Sequence, residues 1–107
     1  MITVDFISRD SHLNGFEIKG HSGYSEEGTD IICSAVSSAA LMSANTVTEI
    51  FGCKAEAETE DGFLKFILSE YDENAVKVLE GLRLHLEEIS KQYPEYITIN
   101  NGGIKNA

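Results

Sequence analysis

Apolar and polar residues alternate through Met1–Ser8, with Ile2, Val4 and Phe6 on one face and Thr3, Asp5 and Ile7 on the other. A period of two predicts a strand. Arg9–Gly15 is turn-like and ends in Asn14-Gly15, a tight-turn pair. Phe16, Ile18 and Gly20 then alternate with Glu17, Lys19 and His21. The two strands are expected to form a hairpin, with His21 at its end on the wetter face. Ser22–Thr29 is small, polar and glycine-bearing, and Tyr24 is its one apolar anchor. That composition suits a loop that moves over a site, and it suits an ordinary connection equally.

The period then changes. Asp30 is a good N-cap for a helix that starts at Ile31 and runs to about Phe51 or Gly52. Small residues crowd its first half, and Leu41, Val47, Ile50 and Phe51 are expected to face the core. Cys53, Ala55 and Ala57 alternate with Lys54, Glu56 and Glu58; Asp61-Gly62 marks a turn; Phe63–Glu70 returns with Leu64, Phe66 and Leu68 on one side. Asp72 caps a second helix from Glu73 to about Tyr93, where Ala75, Leu79, Leu82, Leu86, Ile89 and Tyr93 form an apolar stripe. Leu84 lies off that stripe, as a lone exposed leucine or part of a self-association surface. Pro94 ends the helix, Tyr96–Asn100 is a short last strand, and 101–107 is expected to be a frayed tail. The order β-β-α-β-β-α-β predicts an α+β two-layer domain over residues 1–100. Its sheet is antiparallel or mixed, and both helices lie on one face.

Composition narrows the function classes. A chain of 107 residues that is 42% hydrophobic, with a single proline, has enough apolar surface for one core and is not a disordered segment. No apolar run is expected to reach the ~18 residues of a membrane span. The N-terminus lacks the basic-then-apolar order of a signal peptide, so a cytoplasmic location is expected. The formal net charge of −10 disfavours a phosphate backbone as partner, since the eight Lys and Arg are scattered. It suits solubility, and it suits encounter with basic partners. Cys33 and Cys53 show neither metal-ligand spacing nor a disulfide framework, so no metal is expected.

Candidate chemistry gathers in Gly20–Ser38. Capped by Asp30, Cys33 is the third residue of its helix, among backbone N–H groups without intrahelical partners and at the positive end of the dipole. Both favour the reactive thiolate. A nearby histidine, His21, can take the thiol proton and return it to a leaving group. The competing reading of Cys33 is a small buried hydrophobe. Cys53 opens a strand away from any helix start or neighbouring histidine, and reads as structural.

Gly20-His21, Gly23, Gly28, Asp30, Cys33 and Ser37 spell GHxGxxxxGxDxxCxxxS. This pattern, with the start MITVDF and the two hairpin-plus-helix units, resembles the ribosomal-processing cysteine protease Prp family over nearly the whole chain. The resemblance implies a small homodimeric cytoplasmic endopeptidase without cofactor. Such an enzyme removes a short N-terminal extension from the precursor of a large-subunit ribosomal protein, cutting after an aromatic pair. It implies His21 as general base and acid, Cys33 as nucleophile, and Asp30 and Ser37 as supporting residues. Helix-start N–H groups and the glycine loop with Gly23 and Gly28 are then candidates to stabilise an oxyanion. Ser37, one turn beyond Cys33, reaches the thiol or the imidazole, or simply packs. Asp30 caps the helix or orients His21; as a carboxylate near Cys33 it would oppose the dipole by raising the thiol pKa. Two other classes remain: a non-enzymatic ribosome-associated binding module and a thiol redox sensor. Substoichiometric turnover of a peptide separates the enzyme from both.

Overall fold

The computed structural model describes residues 1–21, 23 and 30–105. The elements are β1 (Ile2–Arg9), β2 (His12–Lys19), α1 (Ile31–Asn45) continuing as a π-helical turn (Thr46–Ile50), β3 (Ala55–Glu60), β4 (Phe63–Leu68), α2 (Glu73–Gln92) and β5 (Ile97–Lys105). The sheet order is β3-β4-β2-β1-β5. β5 runs parallel to β1 and the other pairs are antiparallel, so the sheet is mixed, as expected for this α+β order.

Register follows the apolar pattern. Val4 pairs with Ile18, Phe6 with Phe16, Phe16 with Phe66 and Ile18 with Leu64, which gives one continuous apolar face. Ile32, Val36, Ala40 and Val47 from the first helical run pack against it, with Ala75, Leu79, Leu82 and Leu86 from α2. The opposite face carries the row Asp5, Glu17, Lys65 and Glu58. A one-residue slip would exchange these faces, so burial fixes the register. Phe16 and Phe66 are fully buried, with ring centroids 5.6 Å apart. Truncating either to alanine would cost about 3–5 kcal/mol.

Four sequence expectations are corrected. The first hairpin turns at Asp10 and Ser11, both at positive φ (51° and 69°), and not at Asn14-Gly15. Gly15 instead lies within β2, where a Cβ would come 2.0 Å from the Phe66 carbonyl oxygen. Its glycine answers a close strand approach rather than a turn. Leu41, Ile50 and Phe51 are exposed, and Val47 alone of the four expected residues reaches the core. The buried stripe passes through Ala40, one residue round from Leu41. The i→i+5 bond from Phe51 N to Thr46 O marks the π turn that carries Ile50 off the stripe. The last strand continues to Lys105 in place of a frayed tail, Ile7 pairing with Ile104 and Ser8 with Lys105. The free edge of β1 satisfies these backbone groups despite a polar sequence poor in strand formers. Finally, Ile31–Ile50 is long and apolar enough, by length and composition, to cross a membrane. Its isoleucines and valines raise the hydropathy, while its buried stripe packs on the sheet.

Candidate active site

Cys33 owes its position to Asp30. The Asp30 backbone is extended (φ −76°, ψ 105°), and its Oδ1 accepts from the N–H of Ile32 at 2.9 Å and of Cys33 at 3.0 Å. Its carbonyl accepts from Ser34 N at 3.1 Å, so three first-turn amides end on one residue. Asp30 is only 3% exposed, so the cap is an internal one. Cys33 follows as the third helical residue, half-buried, against the edge of the core. Capping is thus a role the geometry gives Asp30. It also removes Ile32 and Cys33 N–H from the oxyanion donors expected at the helix start, because both are committed to the carboxylate.

His21 is placed by a break in strand alternation. β2 stops at Lys19, and Gly20 takes φ +89°. A Cβ there would lie 2.5 Å from the Met1 carbonyl oxygen, so both the conformation and the space require glycine. His21 therefore does not continue the Glu17–Lys19 face. It lines a cavity together with Cys33, on the helix-covered side. The Met1 amine donates to the His21 carbonyl, and Gly20 N donates to Gly62 O at 2.8 Å.

The second bond brings in the β3–β4 turn, which the sequence marked as a turn only. Because Lys19 pairs with Phe63, the turn sits beside Gly20. Asp61 Oδ2 lies 3.9 Å from His21 Nε2, both side chains partly in solvent. Gly62 has φ +69°, and a Cβ on it would stand 3.0 Å from the same Nε2. The imidazole thus rests against a glycine with a carboxylate at its edge. Nothing local in the sequence links residue 21 to residues 61 and 62, since strand pairing alone unites them.

The cavity measures about 270 Å³. His21, Cys33 and Ser37 line it, with Glu60, Asp61 and Gly62 on one side, and Ile2, Ile18, Val36 and Leu64 supply apolar wall. The expected trio of His21, Cys33 and Ser37 is thus assembled, with Asp30 at the foot of the helix. Gly23 is at φ +76° with nothing within 4 Å of a Cβ position. Gly28 and the rest of the expected mobile loop, residues 22 and 24–29, lie outside the described residues. A thiol and an imidazole lining one cavity are the parts that acyl transfer needs.

Cys53 stands apart from this cavity, packed on the core before β3. Burial pushes its thiol pKa up, and the charge of Asp72 and a hydrogen bond to it push the same way. A thiol held protonated is a poor nucleophile.

Residues 1–98 match a family model described as cysteine protease Prp. The chain is 26% identical over 99 residues to the ribosomal processing cysteine protease Prp of Bacillus subtilis, covering 86% of this chain and 88% of that protein. It is 26% identical over 104 residues to the protein of the same name from Staphylococcus aureus, covering 94% and 98%. The crystal structure of the S. aureus protease with a covalently linked product peptide superposes with a TM-score of 0.88 at 25% identity, covering 94% of this chain and 99% of that one. A Streptococcus mutans crystal structure superposes with a TM-score of 0.81 at 27% identity, covering 99% and 96%.

Proposed function

Because the chain belongs to the cysteine protease Prp family, we propose that this cysteine protease removes a short N-terminal extension from a large-subunit ribosomal protein precursor, in the cytoplasm and as a homodimer. The observation that carries this reading is the shared cavity of His21 and Cys33, with Cys33 at a capped helix start. In the reaction, His21 takes the Cys33 proton and the thiolate attacks the scissile carbonyl. The tetrahedral oxyanion collapses to a thioester as His21 protonates the leaving amine. Water, deprotonated by His21, then releases the acid. With Ile32 and Cys33 N–H held by Asp30, the glycine loop at Gly23 and Gly28 is the better source of oxyanion donors.

Ribosomal processing is the named role of the two relatives, and an acidic chain favours a basic ribosomal substrate over nucleic acid itself. Self-association is supported by Leu41, Met42, Ile50, Phe51 and Leu84, all large, apolar and exposed. The test is mass spectrometry of a precursor ribosomal protein incubated with substoichiometric enzyme. A loss of mass at one N-terminal bond is expected, abolished in Cys33→Ala and largely kept in Cys53→Ala. Full activity in Cys33→Ala would sink the assignment. Light scattering of the purified chain reads the oligomer separately.

A further inference from the structure

The β3–β4 turn does more than reverse the chain. Asp61-Gly62 joins Glu60 to its partner Phe63, and Asp-Gly is ordinary chemistry for such a turn. A turn alone asks nothing of the Asp61 carboxylate. Strand pairing nevertheless sets that carboxylate beside His21, with Oδ2 3.9 Å from Nε2. Gly62 backs the same nitrogen: a Cβ there would stand 3.0 Å from Nε2, against 3.5 and 3.6 Å from the ring carbons Cδ2 and Cε1. The imidazole thus meets the turn with its Nε2 edge.

A neutral imidazole has one N–H donor and one acceptor nitrogen, and its neighbours decide which is which. A carboxylate accepts and does not donate, so Asp61 favours the proton on Nε2. The lone pair then lies on Nδ1, the nitrogen away from the turn, which is left to exchange a proton with Cys33 in the shared cavity. Once the thiol proton arrives the ring is a cation, and the same carboxylate stabilises it. Three carboxylates stand near the pair. Asp30 Oδ1 accepts from the N–H groups of Ile32 and Cys33. Glu60 belongs by strand alternation to the open-face row of Glu56 and Glu58. Among the described residues, Asp61 is the carboxylate within ion-pair distance of the imidazole.

Given the reading of His21 and Cys33 as the catalytic pair, we propose that Asp61 is a positioning residue. From the turn of a different hairpin it holds His21 in the Nε2–H tautomer and keeps Nδ1 as the base for Cys33. At 3.9 Å the contact is longer than a hydrogen bond, and a closing of about 1 Å makes it one. The Asp61 side chain is 80% exposed, so packing does not oppose that movement. Catalytic hydrogen bonds commonly tighten only when substrate binds. A peptide lying over the cavity also excludes water from the pair and strengthens it.

The experiment reads the imidazole first and cleavage second. Long-range ¹H–¹⁵N spectra of the ¹⁵N-labelled full chain, taken in alkaline buffer, report the tautomer of neutral His21, and His21→Gln assigns its signals. The wild type should be mainly Nε2–H. Asp61→Asn preserves the turn, because Asn-Gly serves it equally well, but its amide can donate to Nε2. In that variant the Nδ1–H form should rise. Its kcat on a precursor peptide should fall roughly threefold or more, the scale of an exposed pair, with KM and Tm nearly unchanged. Glu58→Gln removes an equal charge from the neighbouring strand, on the open face, and should move neither readout. An unchanged tautomer in Asp61→Asn overturns the inference, whatever the cleavage assay gives. So does a shifted tautomer with wild-type kcat, which would leave Asp61 a turn residue only. If the wild type cuts no precursor, the proposed substrate fails on its own account. Iodoacetamide labelling of Cys33 then replaces kcat: slower labelling in Asp61→Asn supports the positioning role, and an unchanged rate overturns it.

Discussion

Replacing Gly62 by alanine should damage activity more than stability, and Gly52 provides the control. Both glycines sit in the left-handed region, at φ +69° and +67°. An alanine there costs about 1–2 kcal/mol of backbone energy, or roughly 4–8 °C of Tm in a domain near this size. They differ in what a side chain would meet. At Gly52 nothing lies within 4 Å; at Gly62 the new Cβ stands 3.0 Å from His21 Nε2. That neighbour is the far end of a side chain, so it moves by a few tenths of an ångström and little strain remains in the fold. Catalytic geometry is less forgiving: a displacement of ~1 Å is worth about 100-fold. Gly62→Ala should therefore lose on the order of tenfold in kcat/KM and Gly52→Ala almost none, although the two melt at similar temperatures. A fluorogenic peptide assay beside thermal melts reads both. Equal activity in the two variants at equal Tm would refute the claim that Gly62 seats the imidazole.

Other expected outcomes concern the two cysteines and the cap. Iodoacetamide near neutral pH should label Cys33 before Cys53, read by mass spectrometry of the partly alkylated native protein. Because the Cys53 pKa is raised by burial and by Asp72, its thiolate is scarce at neutral pH and its labelling should climb as pH rises. Asp72→Asn keeps a cap on α2 but removes the charge, so Cys53 should label a few-fold faster at fixed pH. The sign for stability follows: a thiol raised on folding contributes stability below its unfolded pKa, and this is lost as pH rises through the folded value. Asp30→Ala should cost about 1–2 kcal/mol in denaturant melts through loss of the α1 cap, and Asp30→Asn much less. If the two melt alike, the hydrogen bonds to Ile32 and Cys33 are not what holds that helix start.

What could be seen in the sequence was local. Strand alternation in β1 and β4, the caps at Asp30 and Asp72, and the apolar stripe of α2 each depend on residues a few positions apart, and each was legible. Cys33 as third helical residue followed directly from its cap. The missing parts are non-local. Asn14-Gly15 has the composition of a turn, but the Phe66 backbone pressing on Gly15 decides its use. β5 extends through Asn-Asn-Gly-Gly because β1 offers an edge, not because those residues favour strands. The meeting of Asp61 and Gly62 with His21 needs β2 paired to β4 in one register, which no motif encodes. The alternation that put His21 on the wet face was correct up to Lys19 and failed at one positive φ.

The place of β5 also has a consequence for when the enzyme becomes active. β1, first in order among the described elements, gains its second neighbour only from Ile97–Lys105, the last of them. The amide of Ile2, whose side chain walls the His21–Cys33 cavity, is held by the carbonyl of Tyr96 at 2.8 Å. Pairing across nearly the whole chain is slow to form, since the largest loop must close first. A nascent chain can therefore build its hairpins and helices in turn, but it cannot fix that wall until β5 has emerged. The His21–Cys33 cavity is therefore complete only once β5 has paired with β1, and on the roles proposed for the thiol and imidazole a chain lacking β5 would have little capacity to cut the proteins around it.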